Sequence, residues 1–341
     1  MNKIKVLVVD DSQVFRQVIA RGIASDQNIE VVATAGDPYE ARDKIIEFEP
    51  DVMTCDVEMP KMSGIEFIRR LMPQYPLPVV VVSSVNKAVF DAMDAGAVEF
   101  VVKPDTQTVA GVESFINELI IKIKIASTVN VSKWKAARHV TSNAPVVGGV
   151  NEQCKKIIAI GASTGGTEAL YEVLKRLPKD VPGIIVVQHI PPVFSNMFAE
   201  RLNSTTQLYV KEACTGDYLE CGKVLIAPGD RHLRLKKIGD RYKAECFQGD
   251  RVNGHCPSVD VLFESVAKEA GSNAIGIILT GMGYDGAKGL LSMRRKGART
   301  IGQDEKTSVV YGMPKVAYDI GGVEKQAPLE NIANIILSLL K

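Results

Sequence analysis

The chain has 341 residues, 46% of them hydrophobic and 24% charged, with a net charge of +1. That length fits two domains, each with its own core, and the composition excludes a disordered or low-complexity chain. A near-neutral balance also excludes the broad basic field that draws proteins to nucleic acid.

The opening segment MNKIKVLVVDD reaches Asp10 and Asp11 after a short apolar run, so a signal peptide is not expected there. The longest apolar runs, such as Pro78–Val82 and Ile275–Leu279, are strand-sized and too short to span a bilayer. Six cysteines, at positions 55, 154, 214, 221, 246 and 256, form no CxxC pair. The expectation is a cytoplasmic protein with reduced thiols and no direct membrane insertion.

Residues 1–125 alternate strands and helices. Strand patterns fall at Lys5–Val9, Glu30–Thr34, Asp51–Cys55, Val79–Val82 and Glu99–Val102, and helical patterns include Val14–Ala24 and Pro38–Glu47. The strands are nearly continuous apolar runs, as helices on both faces of a parallel sheet require. Five such units predict an α/β domain with flavodoxin-like winding.

In such a sheet the chemistry gathers at the carboxyl ends of the strands. Asp10 and Asp11 close the first strand, Asp56 the third, Ser83 the fourth and Lys103 the fifth, with Pro104 next. Three clustered carboxylates repel unless a cation neutralises them, and hard oxygen ligands favour Mg²⁺. A hydroxyl and an ammonium beside them suit a transferred phosphoryl group. Any one of these residues alone would be an ordinary helix cap or solvated acid; their register at successive strand ends points to phosphoryl chemistry.

The pattern resembles the response-regulator receiver family. The resemblance implies Asp56 as phosphoacceptor and Mg²⁺ held by Asp10, Asp11, Asp56 and the backbone carbonyl of Glu58. It further implies Ser83 and Phe100 as the switch pair sensing the phosphoryl group, with Lys103 beside them. Phe100 stands where the family often has another aromatic.

From residue 126 to 153 the apolar period fails, and Ser, Thr, Asn, Gly and Lys mix as in a linker. Trp134 and His139 lie here and are read as packing locally. A second α/β pattern occupies 154–341. Its strands are predicted at Ile157–Ile160, Gly183–Val187, Lys223–Ala227, Ala274–Leu279 and Thr300–Gly302, with helices such as Thr167–Leu177 and Val259–Ala270. Arg231–Cys246 predicts a hairpin around Gly239-Asp240. The expectation is a doubly wound domain of hydrolase type with a mostly parallel sheet.

Ser163 sits where the strand of IIAIGASTGG enters a glycine-rich turn and then a helix. That is the mechanical idea of a nucleophile elbow, without G-x-S-x-G spacing. Taken alone, Gly161–Gly166 suits an anion-binding turn equally well. It lacks the P-loop lysine, and Ser163 takes the second glycine position of G-x-G-x-x-G, so nucleotide binding has weak support. Of the four histidines, His189 follows a strand, His232 and His255 fall in polar loops, and His139 lies in the linker. Asp285 follows another strand in the loop Thr280–Gly286. A serine, a histidine and an aspartate at one sheet edge are the set a catalytic triad needs, although their order matches none of the familiar ones. The bland alternative is a satisfied strand-end histidine and an Asx-turn aspartate.

Six motifs, residues 160–166 (IGASTGG), 188–192 (QHIPP), 255–260 (HCPSVD), 280–286 (TGMGYDG), 302–305 (GQDE) and 311–314 (YGMP), resemble the chemotaxis protein-glutamate methylesterases, the CheB family. The resemblance implies Ser163 as nucleophile, His189 as base then acid, Asp285 as its orienter and the Met282 N–H as an oxyanion donor. His255 would flank the site, and no cofactor would serve this half. It implies methylated chemoreceptor cytoplasmic domains as substrate, with glutamine deamidation as a companion reaction. A chemotaxis histidine kinase would be phosphodonor and a methyltransferase the opposing enzyme. The layout expected is a receiver domain at 1–125, a linker at 126–153 and a catalytic domain at 154–341, the unphosphorylated receiver covering the Ser163 edge. The rival is a non-enzymatic scaffold or response regulator whose triad has decayed.

Overall fold

The computed structural model describes residues 3–84, 88–104, 109–129, 131 and 156–340. Trp134, His139 and nearly all of the predicted linker lie outside them. The chain divides into two compact units, Met1–Lys135 and Ala136–Lys341.

In the first unit the strands are β1 (Ile4–Val9), β2 (Ile29–Ala35), β3 (Val52–Asp56), β4 (Val79–Ser83) and β5 (Glu99–Val102). The helices are α1 (Gln13–Ile23), α2 (Pro38–Phe48), α3 (Gly64–Gln74), α4 (Ala88–Ala95) and α5 (Val109–Ala126). All neighbouring strands run parallel, in the order β2-β1-β3-β4-β5. β3 and β4 are buried at every residue, which explains their unbroken apolar runs. Side chains fix the helix starts: Ser12 accepts from Phe15 N–H at 3.3 Å, and Asp37 from Tyr39 and Glu40 N–H at 2.9 and 3.0 Å. The strand order reverses between β1 and β3, whose carboxyl ends carry Asp10 and Asp56.

The second unit holds β6 (Ile157–Ala162), β7 (Gly183–Gln188), β8 (Tyr209–Glu212), β9 (Lys223–Ile226), β10 (His232–Ile238), β11 (Arg241–Phe247), β12 (Ala274–Ile278), β13 (Arg299–Gln303) and β14 (Lys325–Ala327). Its helices are α6 (Gly166–Leu174), α7 (Phe194–Thr205), α8 (Val259–Glu269), α9 (Ala287–Arg295), α10 (Met313–Asp319) and α11 (Leu329–Leu340). Seven strands form one sheet in the order β14-β13-β12-β6-β7-β9-β8, every pair parallel. β10 and β11 form the predicted hairpin, with Gly239 at φ +60° in its turn. Here too the order reverses at the centre, between β6 and β12.

Three expectations are corrected. The edge strands β8 and β14 are absent from the predicted set, because YVKE and KQA carry too little apolar pattern. His232 is no loop residue: it opens β10 and is buried. Cys55, Cys214, Cys246 and Cys256 are free thiols, but Cys221 is disulfide-bonded, against the expectation of reduced thiols throughout. Among the described residues, no helix is long and apolar enough to cross a membrane.

Candidate functional site

In the first unit, Val9 pairs with Cys55, so the residues that follow, Asp10 and Asp56, come side by side. Both are buried. Ligand oxygens of Asp10, Asp11 and Asp56 lie within 4.8 Å of one another, Asp11 being exposed. Lys103 Nζ reaches in from the end of β5 and pairs with Asp56 at 2.6 Å and Asp10 at 2.9 Å. Glu58 N–H donates to Asp56 Oδ1 at 3.3 Å. Burial pushes the Asp56 carboxyl above its usual range, and the Asp10 charge adds to this despite the Lys103 hydrogen bond. Burial alone would lower the Lys103 ammonium, but its bonds to Asp56 and Asp10 raise it. Ser83, at the end of β4, is buried with its Oγ unpartnered. Phe100 is buried on β5. Among the described residues one lysine thus faces three acids, and the remaining negative charge with hard oxygen donors fits a divalent cation such as Mg²⁺.

In the second unit, β12, β6 and β7 lie side by side, and their carboxyl ends deliver Asp285, Ser163 and His189. Two close approaches demand glycine around Ser163. A Cβ on Gly166 would stand 2.1 Å from Gln188 Oε1, and one on Gly281 would stand 2.7 Å from Ser163 Cβ. The first lets the chain turn sharply into α6. The second presses Gly281, the residue before Met282, onto Ser163. Ser163 N–H donates to Thr280 O at 3.0 Å, tying the two loops together. The Met282 side chain is half exposed, and its N–H has no acceptor among the described residues.

His189 Nε2 and Asp285 Oδ2 are 2.9 Å apart, both side chains being largely buried. A carboxylate only accepts, so Nε2 carries the hydrogen and Nδ1 is the bare nitrogen. Nδ1 is buried and without a hydrogen-bond partner. Among the described residues no hydrogen bond joins Ser163 Oγ to the ring; such contacts are often long in the absence of substrate and tighten when it binds.

Asp285 accepts four more hydrogen bonds. Ser258 Oγ and Asn253 Nδ2 donate to Oδ1 at 2.8 Å each, Val259 N–H to Oδ2 at 2.7 Å, and Asp260 N–H to Oδ1 at 3.3 Å. The two amides belong to the start of α8, whose dipole favours an anion there. Burial would raise the Asp285 carboxyl, but the His189 bond, with Asn253 and Val259, holds it far below the usual carboxylate range. Behind it, Asp260 is a second buried acid, accepting from Gly289 N–H at 2.6 Å and Asn253 Nδ2 at 2.7 Å. Its own carboxyl is raised by burial and by the Asp285 charge. His255 lies flat on His189, with centroids 3.7 Å apart and planes 11° from parallel.

Ten of the eleven sequence-predicted residues lie at the end of a strand or in the loop after it, in two separate clusters, while Phe100 lies within β5. Asn253, Ser258 and Asp260 are additions that sequence reasoning missed. Ser258 and Asp260 fall within the 255–260 motif and Asn253-Gly254 is a turn dipeptide, but none of these signals points to Asp285.

Comparison with known proteins gives two domain matches: the CheB methylesterase model over residues 158–336 and the response regulator receiver domain over 6–110. A protein-glutamate methylesterase/protein-glutamine glutaminase 2 of Syntrophomonas wolfei is 56% identical over 340 residues, covering 100% of this chain and 98% of the relative. Its Salmonella choleraesuis counterpart is 45% identical over 342 residues, covering 99% and 97%. Among solved structures, the Thermotoga maritima CheB methylesterase catalytic domain matches with a TM-score of 0.53 and 40% identity, covering 54% of this chain and 98% of that one.

Proposed function

The chain belongs to the CheB methylesterase family and carries a response-regulator receiver domain, and from that premise we propose that it hydrolyses glutamate methyl esters on chemoreceptor cytoplasmic domains, under control of phosphorylation at Asp56. It would also deamidate glutamine there, as the names of its relatives indicate. The observation that carries the proposal is the buried His189–Asp285 pair, in the loops after the two strands that flank the Ser163 strand.

In this mechanism Ser163 Oγ attacks the γ-carbonyl carbon while its proton passes to His189 Nδ1. The Met282 N–H stabilises the oxyanion, a contribution of roughly 2.7–4 kcal/mol for one such donor. The C–O bond to the methoxy group then breaks, methanol leaving with the proton from His189. Water attacks the acyl-enzyme, His189 takes its proton, and the carboxylate departs as Ser163 regains its hydrogen. For glutamine the leaving group is ammonia. Asp285, permanently ionised, keeps the ring in the Nε2–H tautomer and balances the imidazolium.

At the receiver, an Asp56 oxygen would accept the phosphoryl group from a chemotaxis histidine kinase. Asp10, Asp11, Asp56 and the Glu58 carbonyl would hold Mg²⁺, which supplies charge neutralisation for that transfer. Lys103 and the free Ser83 Oγ would meet the phosphoryl oxygens, with Phe100 following Ser83. The domain layout proposed is a receiver at 1–125, a linker at 126–153 and the esterase at 154–341, acting in the cytoplasm.

The test is methanol release from methylated chemoreceptor membranes, by the parent and by Ser163→Ala, with and without a small-molecule phosphodonor and Mg²⁺. Release that needs Ser163 and rises with the phosphodonor is the expected result. No release from the parent under any condition would sink the proposal in favour of a phospho-dependent scaffold.

A further inference from the structure

The loop between β11 and α8, residues 248–258, supplies three side chains to the His189–Asp285 pair. Asn253 and Ser258 donate to Asp285, and His255 stacks on His189. The loop is irregular. Asn253 and Gly254 take φ of +54° and +84°, and its internal backbone pairing is one bridge between Val252 and His255. A segment with so little ladder needs an external fixture if three of its side chains are to stay in register.

His232 is placed to be that fixture. It is 2% exposed, and its ring spans the two ends of the loop. Nε2 lies 2.8 Å from the Asp250 carbonyl oxygen, and Ser258 N–H donates to Nδ1 at 3.2 Å. A carbonyl only accepts and an amide N–H only donates, so the partners dictate the tautomer: the hydrogen is on Nε2 and Nδ1 is bare. The rigid imidazole offers a donor and an acceptor that point in divergent directions from one plane, so a single ring can meet both ends of the loop. The surroundings fit it closely. The Phe247 ring centroid is 5.5 Å away, and a Cβ on Gly249 would stand 3.2 Å from His232 Cδ2.

Ser258 then joins this ring to the catalytic pair. Its N–H is held by His232, while its Oγ donates to Asp285 and accepts from Val261 N–H at 3.4 Å, capping α8. We propose that His232 is a positioning residue for the hydrolytic reaction: a clasp that closes the 248–258 loop and so fixes the hydrogen-bond frame of Asp285 and the plane of His189. It touches neither substrate nor the reacting atoms. The proposal rests on the triad assignment above.

The test uses the full chain with phosphodonor and Mg²⁺, and the substitutions His232→Phe, His232→Asn and His232→Gln. Phe keeps the ring's shape and loses both hydrogen bonds. Asn keeps an acceptor near the Nδ1 position, facing Ser258, and Gln keeps a donor near the Nε2 position, facing Asp250. His232→Phe is expected to lower kcat roughly 10- to 100-fold, as small misplacements of catalytic groups do, with KM changed less than about threefold. His232→Asn should recover more of kcat than His232→Gln, because the Ser258 bond leads to Asp285.

A second readout is the downfield proton resonance of the His189 Nε2–H···Asp285 bond, which should shift or broaden in His232→Phe. Activity within about twofold of the parent, or a fall in kcat with that resonance unmoved, would overturn the proposal. If His232→Phe does not fold, the ranking of Asn above Gln decides. If the parent shows no Ser163-dependent release, the triad assignment fails, and the resonance still decides whether His232 holds the pair.

Discussion

Both units place a buried aspartate at the point where a parallel sheet reverses its strand order, yet the two carboxylates live in opposite surroundings. Asp56 shares its pocket with Asp10 and Asp11 against one lysine among the described residues, and its carboxyl is pushed up. Asp285 accepts five hydrogen bonds, and its carboxyl is held far down. The first is short of positive partners and suits a site that gains a cation and a phosphoryl group. The second is saturated and suits a residue that never changes state while its histidine does. The same backbone device thus serves a switch in one unit and a fixed brace in the other.

The sharpest way to break this contrast is to make one substitution, Asp→Asn, in both places. Asp285→Asn should cost about 10⁴-fold in kcat, since an amide cannot enforce the His189 tautomer. It should also destabilise its unit by roughly 3 kcal/mol, because in either orientation the new NH₂ meets a backbone N–H, of Asp260 or of Val259, that can only donate. The stability loss should depend on pH. A carboxyl depressed in the folded state contributes stability above its unfolded value near 4, and that contribution fades as pH falls below it. The gap in melting temperature between parent and Asp285→Asn should therefore be widest near pH 7 and shrink below about pH 4. A gap that is flat with pH would mean the five donors do not favour the ionised form.

Asp56→Asn should do the reverse. It removes one of the crowded charges, so in chelator-treated protein it should raise the melting temperature, by on the order of 1 kcal/mol in stability. Phosphodonor response should vanish with it. A destabilised Asp56→Asn would show that the Lys103 bond outweighs burial and repulsion there.

The contrast also marks what could be read from the sequence. β3, β4, β6, β7 and β12 are buried at every residue, so they are nearly all apolar and the strands were legible as runs. The residues that end them, Asp56, Ser83, Ser163, His189 and Asp285, were legible for the same reason. The edge strands β8 and β14 face solvent on one side and lose that signal. What surrounds Asp285 was hidden more deeply. Asn253, Ser258 and His232 come from a loop and a hairpin that only tertiary folding brings to the site, and their residue types are those of ordinary turns and caps. The receiver's crowding, by contrast, was visible at once, because its partners are charged and sit at the strand ends themselves.

The smallest effect expected tests whether saturation means redundancy. Ser258→Ala removes one of the five donors to Asp285 together with the side-chain cap of α8. The lost cap and hydrogen bond should cost roughly 1–2 kcal/mol of stability, read by denaturant unfolding. Its backbone N–H would still meet His232, and Asn253, Val259 N–H, Asp260 N–H and His189 would still hold the carboxylate. The fall in kcat should therefore stay below about tenfold, far short of the loss in Asp285→Asn. A loss above a hundredfold would mean that the brace depends on one hydroxyl, and that the crowd of donors around Asp285 gives it low pKa without giving it tolerance.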